Sequence, residues 1–328
     1  METPHRAEAG AGTGVRRFQE EVLSVRQICS CLKKAYIILG HRHPAHLYRL
    51  VQKLDDGASF FFIHIDKKAK LPDFGSVLNA ENVQMVESVK INWAGFSIVQ
   101  ATLNGMMAIK ESGLNFDRII LLSGQDYPVK SNASINNFLE SAPHRVFMEY
   151  FLLPNHKKWQ PGGGMYRVTK YYLGLKLHQR YAAKALNLLS RFLPFLKRSL
   201  PQPLRPFAGS AWWIIDMYAL NYILGYVHNN PRYAAFHKHT FAPDEVFFQT
   251  ILLNADDKRI TESICVNNMR LIKWKDIRAA HPQVLTMADL NDIVLTEALF
   301  ARKFDPHESA ELLDVIDRHC LSDNYSSN

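Results

Sequence analysis

Pro243-Asp244-Glu245, running straight into Val246-Phe247-Phe248-Gln249-Thr250-Ile251, sets two adjacent carboxylates against an apolar stretch. A carboxylate held beside aromatic groups is a candidate general base. Pro243 suits the first position of a helix, and acids in a first helical turn are favoured by the helix dipole. Taken alone, the pair also fits two solvated capping acids. Arg302-Lys303 follows the apolar run Leu299-Phe300-Ala301. Such cations either hold a leaving phosphate or decorate a helix C-terminus. Asp66 closes the run Phe60-Phe61-Phe62-Ile63-His64-Ile65 and precedes Lys67-Lys68. Ser123-Gly124-Gln125-Asp126 offers a hydroxyl, an amide and a carboxylate within four residues. Between them these groups supply a base, cations and polar contacts for a sugar or a nucleotide.

Their placement depends on a parallel sheet. Ala35 to His41 is an apolar run stopped by Gly40 and reads as a buried strand. Leu47, Leu50, Val51 and Leu54 recur at helical spacing from Pro44. Phe60 to Ile65 is a second strand, so the three form a βαβ unit. A third strand, Ile119-Ile120-Leu121-Leu122, runs into the Ser123 turn, after a largely buried helix over Ile98–Met107. Ligands of open parallel sheets bind beyond the carboxyl ends of the strands, where Asp66 and Ser123 fall.

Five segments together resemble the Core-2/I-branching glycosyltransferases, which include β-1,6-N-acetylglucosaminyltransferases and peptide O-xylosyltransferases. They are Phe62–Lys68, Leu122–Lys130, Gly209-Ser210-Ala211-Trp212-Trp213, Pro243-Asp244-Glu245 and Phe300–Asp305. The resemblance spans Lys34 to Pro306. It implies an α/β, GT-A-like domain over 34–328, a UDP-sugar donor, inversion at the anomeric carbon and no required metal. Glu245 is then the base. Asp66, Ser123, Gln125, Asp126, Gly209, Ser210, Arg302 and Lys303 are on the donor side. Arg278 or His281 stands in for a second diphosphate-binding cation. Asp244 is a cap or a contact to a sugar hydroxyl, and Trp274 falls where N-acetylglucosaminyl members carry an acceptor-side aromatic. Independently of the resemblance, no Asp-x-Asp motif occurs, so no cofactor beyond the donor is expected.

At 328 residues, with 47% hydrophobic and 21% charged residues, the composition is that of an ordinary globular chain. A net charge of +8 favours anionic partners or serves solubility. The basic residues are scattered and match no nucleic-acid motif. Cys29, Cys31, Cys265 and Cys320 form no disulfide or metal framework, which favours a reducing cytoplasm. Residues 1–33 read as a flexible extension without a membrane anchor, as in a soluble member of bacterial type. His41-Arg42-His43-Pro44 stands where a Rossmann glycine motif would sit, which disfavours an oxidoreductase. The remaining rival is a carbohydrate-binding protein that kept the fold and lost the chemistry.

Two further stretches carry alternatives. His156 to Gly164 reads as a flexible loop, or as a lid whose Trp159 offers a sugar-stacking face at the acceptor side. Arg167 to Arg198 is basic and amphipathic. It reads as one or two surface helices with a buried face, or as a peripheral contact with an anionic inner membrane. The acceptor is expected to be a glycan or a glycolipid.

Overall fold

The computed structural model describes residues 32–201, 203–276 and 281–322. Its strands are β1 (Lys34–Gly40), β2 (Ser59–Ile65), β3 (Val83–Met85), β4 (Arg118–Ser123), β5 (Asp126–Pro128), β6 (Val146–Met148), β7 (Phe151–Leu152), β8 (Phe207–Ala208), β9 (Trp213–Ile215), β10 (Ile264–Cys265), β11 (Arg270–Ile272) and β12 (Phe300–Arg302). Helices that bear on the site and its surroundings are α1 (Pro44–Leu54), α2 (Ser97–Glu111), α3 (Asn132–Ser141), α4 (Leu177–Leu189), α5 (Met217–Asn229), α6 (Phe247–Leu253) and α7 (Ala310–His319).

The fold is α/β. A seven-stranded sheet in the order β10-β6-β9-β4-β1-β2-β3 forms its centre, and β9 alone runs antiparallel to its neighbours. Side-chain alternation divides each central strand between two cores. Tyr36, Ile38, Phe61, Ile63, Ile120 and Leu122 join one face, packed with α1 and α7. Ala35, Ile37, Phe60, Phe62, Ile119 and Leu121 join the other, packed with α2, α5 and α6. Burial on both faces explains why these strands are uninterrupted apolar runs.

Register brings the candidate residues to one edge. Gly40 pairs with Ile65 and Leu39 with Ser123, so His41, Asp66 and Gly124 leave the sheet side by side. A second sheet, β11-β12-β5, lies beyond this edge. In it Arg302 of β12 stands directly opposite Asp126 of β5.

Two expectations are corrected here. All three glycines from Gly162 to Gly164 have positive φ, and Gly163 and Gly164 are buried while Gly162 is exposed. Gly163 accepts from the Asn155 amide at 2.8 Å, and a Cβ on Gly163 would meet that nitrogen at 2.7 Å. Gly163 and Gly164 thus serve conformation and close approach. α4 forms within the basic stretch as a surface helix, but its inward face, Gln179, Ala183, Leu186 and Asn187, is only half-buried. Residues 1–31, and with them Cys29 and Cys31, lie outside the described residues.

Candidate active site

Pro243–Glu245 forms a single 3-10 turn, and α6 starts only after Val246 breaks the geometry at φ −133. The acids therefore sit on a tight turn ahead of the helix rather than in its first turn. Ala242 enters the turn in the left-handed region, and its amide donates to the Ala94 carbonyl at 2.8 Å. From the other side the Gly209 amide donates to the Glu245 carbonyl at 2.9 Å. A Cβ at Gly209 would lie 1.8 Å from the Glu149 carbonyl oxygen, so only glycine permits this approach. Ser210 completes the strap by accepting from the Gln249 amide at 2.7 Å.

Arg167 fixes the Glu245 side chain. Its guanidinium lies 2.7 Å from Glu245 Oε2, donates to the Ala242 carbonyl at 3.2 Å and stacks 3.9 Å over the Trp159 ring. Burial raises the proton affinity of Glu245 above the usual carboxylate value, and Arg167 pulls it back down. About a third of the Glu245 side chain, 32%, still reaches solvent. Asp244 is pushed up to about 7, first by burial and then by the neighbouring Glu245 charge. Its Oδ1 is buried without a hydrogen-bond partner. A coupled acid pair with raised pKa values on an accessible turn is the arrangement expected of proton-transfer chemistry.

The opposite wall is cationic. Arg302 lies 3.4 Å from Asp126 Oδ1 and 4.1 Å over the Trp212 ring. Lys303 follows, its amine pKa lowered by burial and then by Arg42 and Arg302. His281 is held neutral more strongly than usual, again by burial and then by Lys303 and Arg42. Arg42 comes from the loop after β1 and is exposed. Like charges crowded at the end of a parallel sheet form a site that an anion would relieve. Between the two walls stands Trp93, 44% exposed, in edge contact with Phe241 and His281.

Residues 34–297 match the model of the Core-2/I-branching enzyme family. The chain belongs to that family. It is therefore a glycosyltransferase on an α/β fold, as the motif order implied. Several relatives match at 25% identity, three of them as follows. A β-glucuronosyltransferase, GlcAT14A of Arabidopsis thaliana, aligns over 95% of this chain and 70% of its own length. The N-acetyllactosaminide β-1,6-N-acetylglucosaminyl-transferase of Mus musculus aligns over 83% and 68%. Xylosyltransferase 2 of Rattus norvegicus aligns over 92% of this chain, which spans only 35% of that protein. Among solved structures, core-mannan synthase A of Aspergillus fumigatus covers 74% of each chain at 11% identity and a TM-score of 0.37.

In this branching-enzyme chain the turn after β4 is tied to β12 by its own polar groups. Asp126 is fully buried. Its carboxylate accepts from the Ser123 amide at 3.1 Å and from the Ser123 hydroxyl at 2.9 Å. Gln125 binds Phe304 through both its carbonyl, at 2.9 Å, and its side-chain amide, at 3.4 Å. Ser123, Gln125 and Asp126 therefore clamp β12 and aim Arg302 at the strand edge. Asp66 is 5% exposed and accepts from the backbone amides of Lys68 at 3.0 Å and Ile91 at 3.2 Å.

The aromatic expectations divide. Trp159 has the face expected for a sugar covered by Arg167. Trp274 is 52% exposed two residues past β11, and no contact among the described residues joins it to the acid turn. Arg278 lies outside the described residues. Arg167, Arg42 and Trp93 had not been assigned to the site. Arg42 carried a usable signal, because it follows a strand that ends at the ligand edge. Arg167 carried none, since its partner is 78 positions away.

Arg167 gives an early expectation. With Arg167→Met the carboxyl of Glu245 loses the charge that lowers its pKa, so that pKa rises. The base works only when unprotonated, so the acid limb of kcat/KM should move to higher pH. A pH–rate profile whose acid limb stays in place would show that the pair does not tune Glu245.

Proposed function

We propose that this enzyme transfers a sugar, N-acetylglucosamine as the first assignment, from a UDP donor to a hydroxyl of a glycan or glycolipid. The transfer inverts the anomeric carbon and needs no metal. The observation that carries this reading is a part-exposed, Arg167-held Glu245 on a turn whose Asp244 feels the charge of Arg302, the neighbour of the crowded Lys303. The acceptor hydroxyl gives its proton to Glu245 as its oxygen bonds the anomeric carbon. On the far side of that carbon the bond to the β-phosphate oxygen breaks, and its electrons leave with UDP. Lys303, Arg302 and Arg42 face that growing negative charge and offset it, and the neutral His281 can add an N–H donor.

Asp244 is suited to a hydroxyl of a bound sugar, because its buried Oδ1 is unpartnered. Asp66 sits at the strand edge assigned to uridine. Ser210 and Gly209 act by holding the base turn. Among the described residues no three His, Cys, Asp or Glu side chains gather where an ion could bind. The proposed site of action is the cytoplasm, with a peripheral membrane contact; no described helix is long and apolar enough to cross a membrane.

Relatives of equal identity are named for three different sugars, so the donor is a matter for direct assay. N-acetylglucosamine is the first assignment, with UDP-xylose the alternative. The test is UDP release from UDP-N-acetylglucosamine, UDP-xylose and UDP-glucuronic acid, each with a panel of glycan acceptors. Fastest release from UDP-N-acetylglucosamine is expected. Faster turnover of either other donor would replace the sugar assignment, and donor binding without release from any of them would favour a carbohydrate-binding protein.

A further inference from the structure

From Tyr150 to Ile215 the chain carries eleven Lys or Arg and no Asp or Glu. The middle of this acid-free stretch is α4 and the loop that follows it. Leu177, Tyr181 and Leu188 are spaced to share one helix face. They are 67%, 62% and 54% exposed, and Phe192 and Phe195 beyond the helix are 75% and 79% exposed. Lys176, Arg180, Lys184, Arg191 and Lys197 are exposed among them.

This apolar display is built in, because polar groups fasten the segment from behind. Asn187 bonds both backbone groups of Tyr171, accepting at 2.8 Å and donating at 3.0 Å. Arg198 is buried and donates to the Phe236 carbonyl at 2.8 Å and to Thr240 Oγ1 at 2.9 Å. Amide and guanidinium groups thus make inward contacts beside the half-buried Leu186, while Leu177, Leu188, Phe192 and Phe195 face water. A helix with apolar residues on one side, cations interleaved and no acid is the form that lies in a lipid interface. Anionic lipid attracts such a surface, whereas a neutral or basic protein face would not.

We propose that α4 and the Phe192–Phe195 loop seat this protein on an anionic membrane surface. The apolar side chains enter the headgroup boundary and the lysines and arginines bind lipid phosphates. The inference does not depend on which sugar is transferred or on the identity of the base.

The test is co-sedimentation of the full chain with phosphatidylcholine vesicles, with and without phosphatidylglycerol. Binding should require phosphatidylglycerol and weaken with added salt. Lys184→Gln with Arg191→Gln should lower the partition coefficient by about 25-fold, at about fivefold per cation. Phe192→Ser with Phe195→Ser should lower it about tenfold or more. All four side chains are exposed, so circular dichroism and UDP affinity should not change. No binding to phosphatidylglycerol vesicles would overturn the proposal. So would binding that neither double variant weakens. A concentration-dependent dimer, without vesicle binding, that Phe192→Ser with Phe195→Ser abolishes would reassign the face to a second copy of the chain.

Discussion

Glu245→Gln should lose roughly 10²-fold or more in turnover while keeping the fold and the affinity for UDP, the scale expected when an acid–base group is removed. Glutamine has the shape of glutamate, and its amide oxygen can still accept from Arg167, which lies 2.7 Å from Oε2 in the native protein. What it lacks is a lone pair basic enough to take the acceptor proton. The loss should therefore appear in kcat, with calorimetric binding of UDP unchanged. Turnover near that of the native enzyme would remove Glu245 as the base and move attention to Asp244, whose carboxyl is pushed up to about 7.

Lys303→Ala is expected to weaken UDP-sugar binding about tenfold to a hundredfold, the range for losing a hydrogen bond to a charged group, and to lower kcat as well. A second consequence distinguishes a ligand site from a structural one. Lys303 is crowded by Arg42 and Arg302, and burial also disfavours its charged form. Removing it relieves repulsion in the ligand-free protein, so its Tm should stay level or rise while affinity falls. Donor binding by the native enzyme should weaken with salt, because the attraction is between charges at a partly open edge. A lower Tm with donor affinity intact would make Lys303 a structural residue.

The central elements were legible because their physics is local or periodic. β1, α1 and β2 follow from two apolar runs and a Leu47-Leu50-Val51-Leu54 stripe, and they form with those bounds to within a residue or two. The ligand edge followed from sheet topology, which put Asp66 and Ser123 together before any contact was known. What pattern could not show was the direction of a polar group within a turn. Asp126 looked like a pocket carboxylate, yet its two oxygens are committed to Ser123 and its charge to Arg302. Arg167 was hidden for another reason: a basic residue in a basic stretch gives no hint that it reaches a carboxylate in a distant turn. α4 failed in the opposite sense. Its spacing resembles that of any core-facing helix, and only the exposure of Leu177, Tyr181 and Leu188 separates a surface helix from a buried one. Periodicity identifies an apolar face but not what covers it.

The account stands on cations, rather than a metal, offsetting the charge of the departing diphosphate opposite Glu245. The most direct measurement is the rate of UDP release from the preferred donor and acceptor in excess EDTA, then after addition of Mn²⁺ or Mg²⁺. We expect an undiminished rate in EDTA, no gain from either ion, and a marked loss in Lys303→Ala under both conditions. Release that stops in EDTA and returns with Mn²⁺ would contradict the account and make Asp66 and Asp126 the first residues to re-examine as metal ligands.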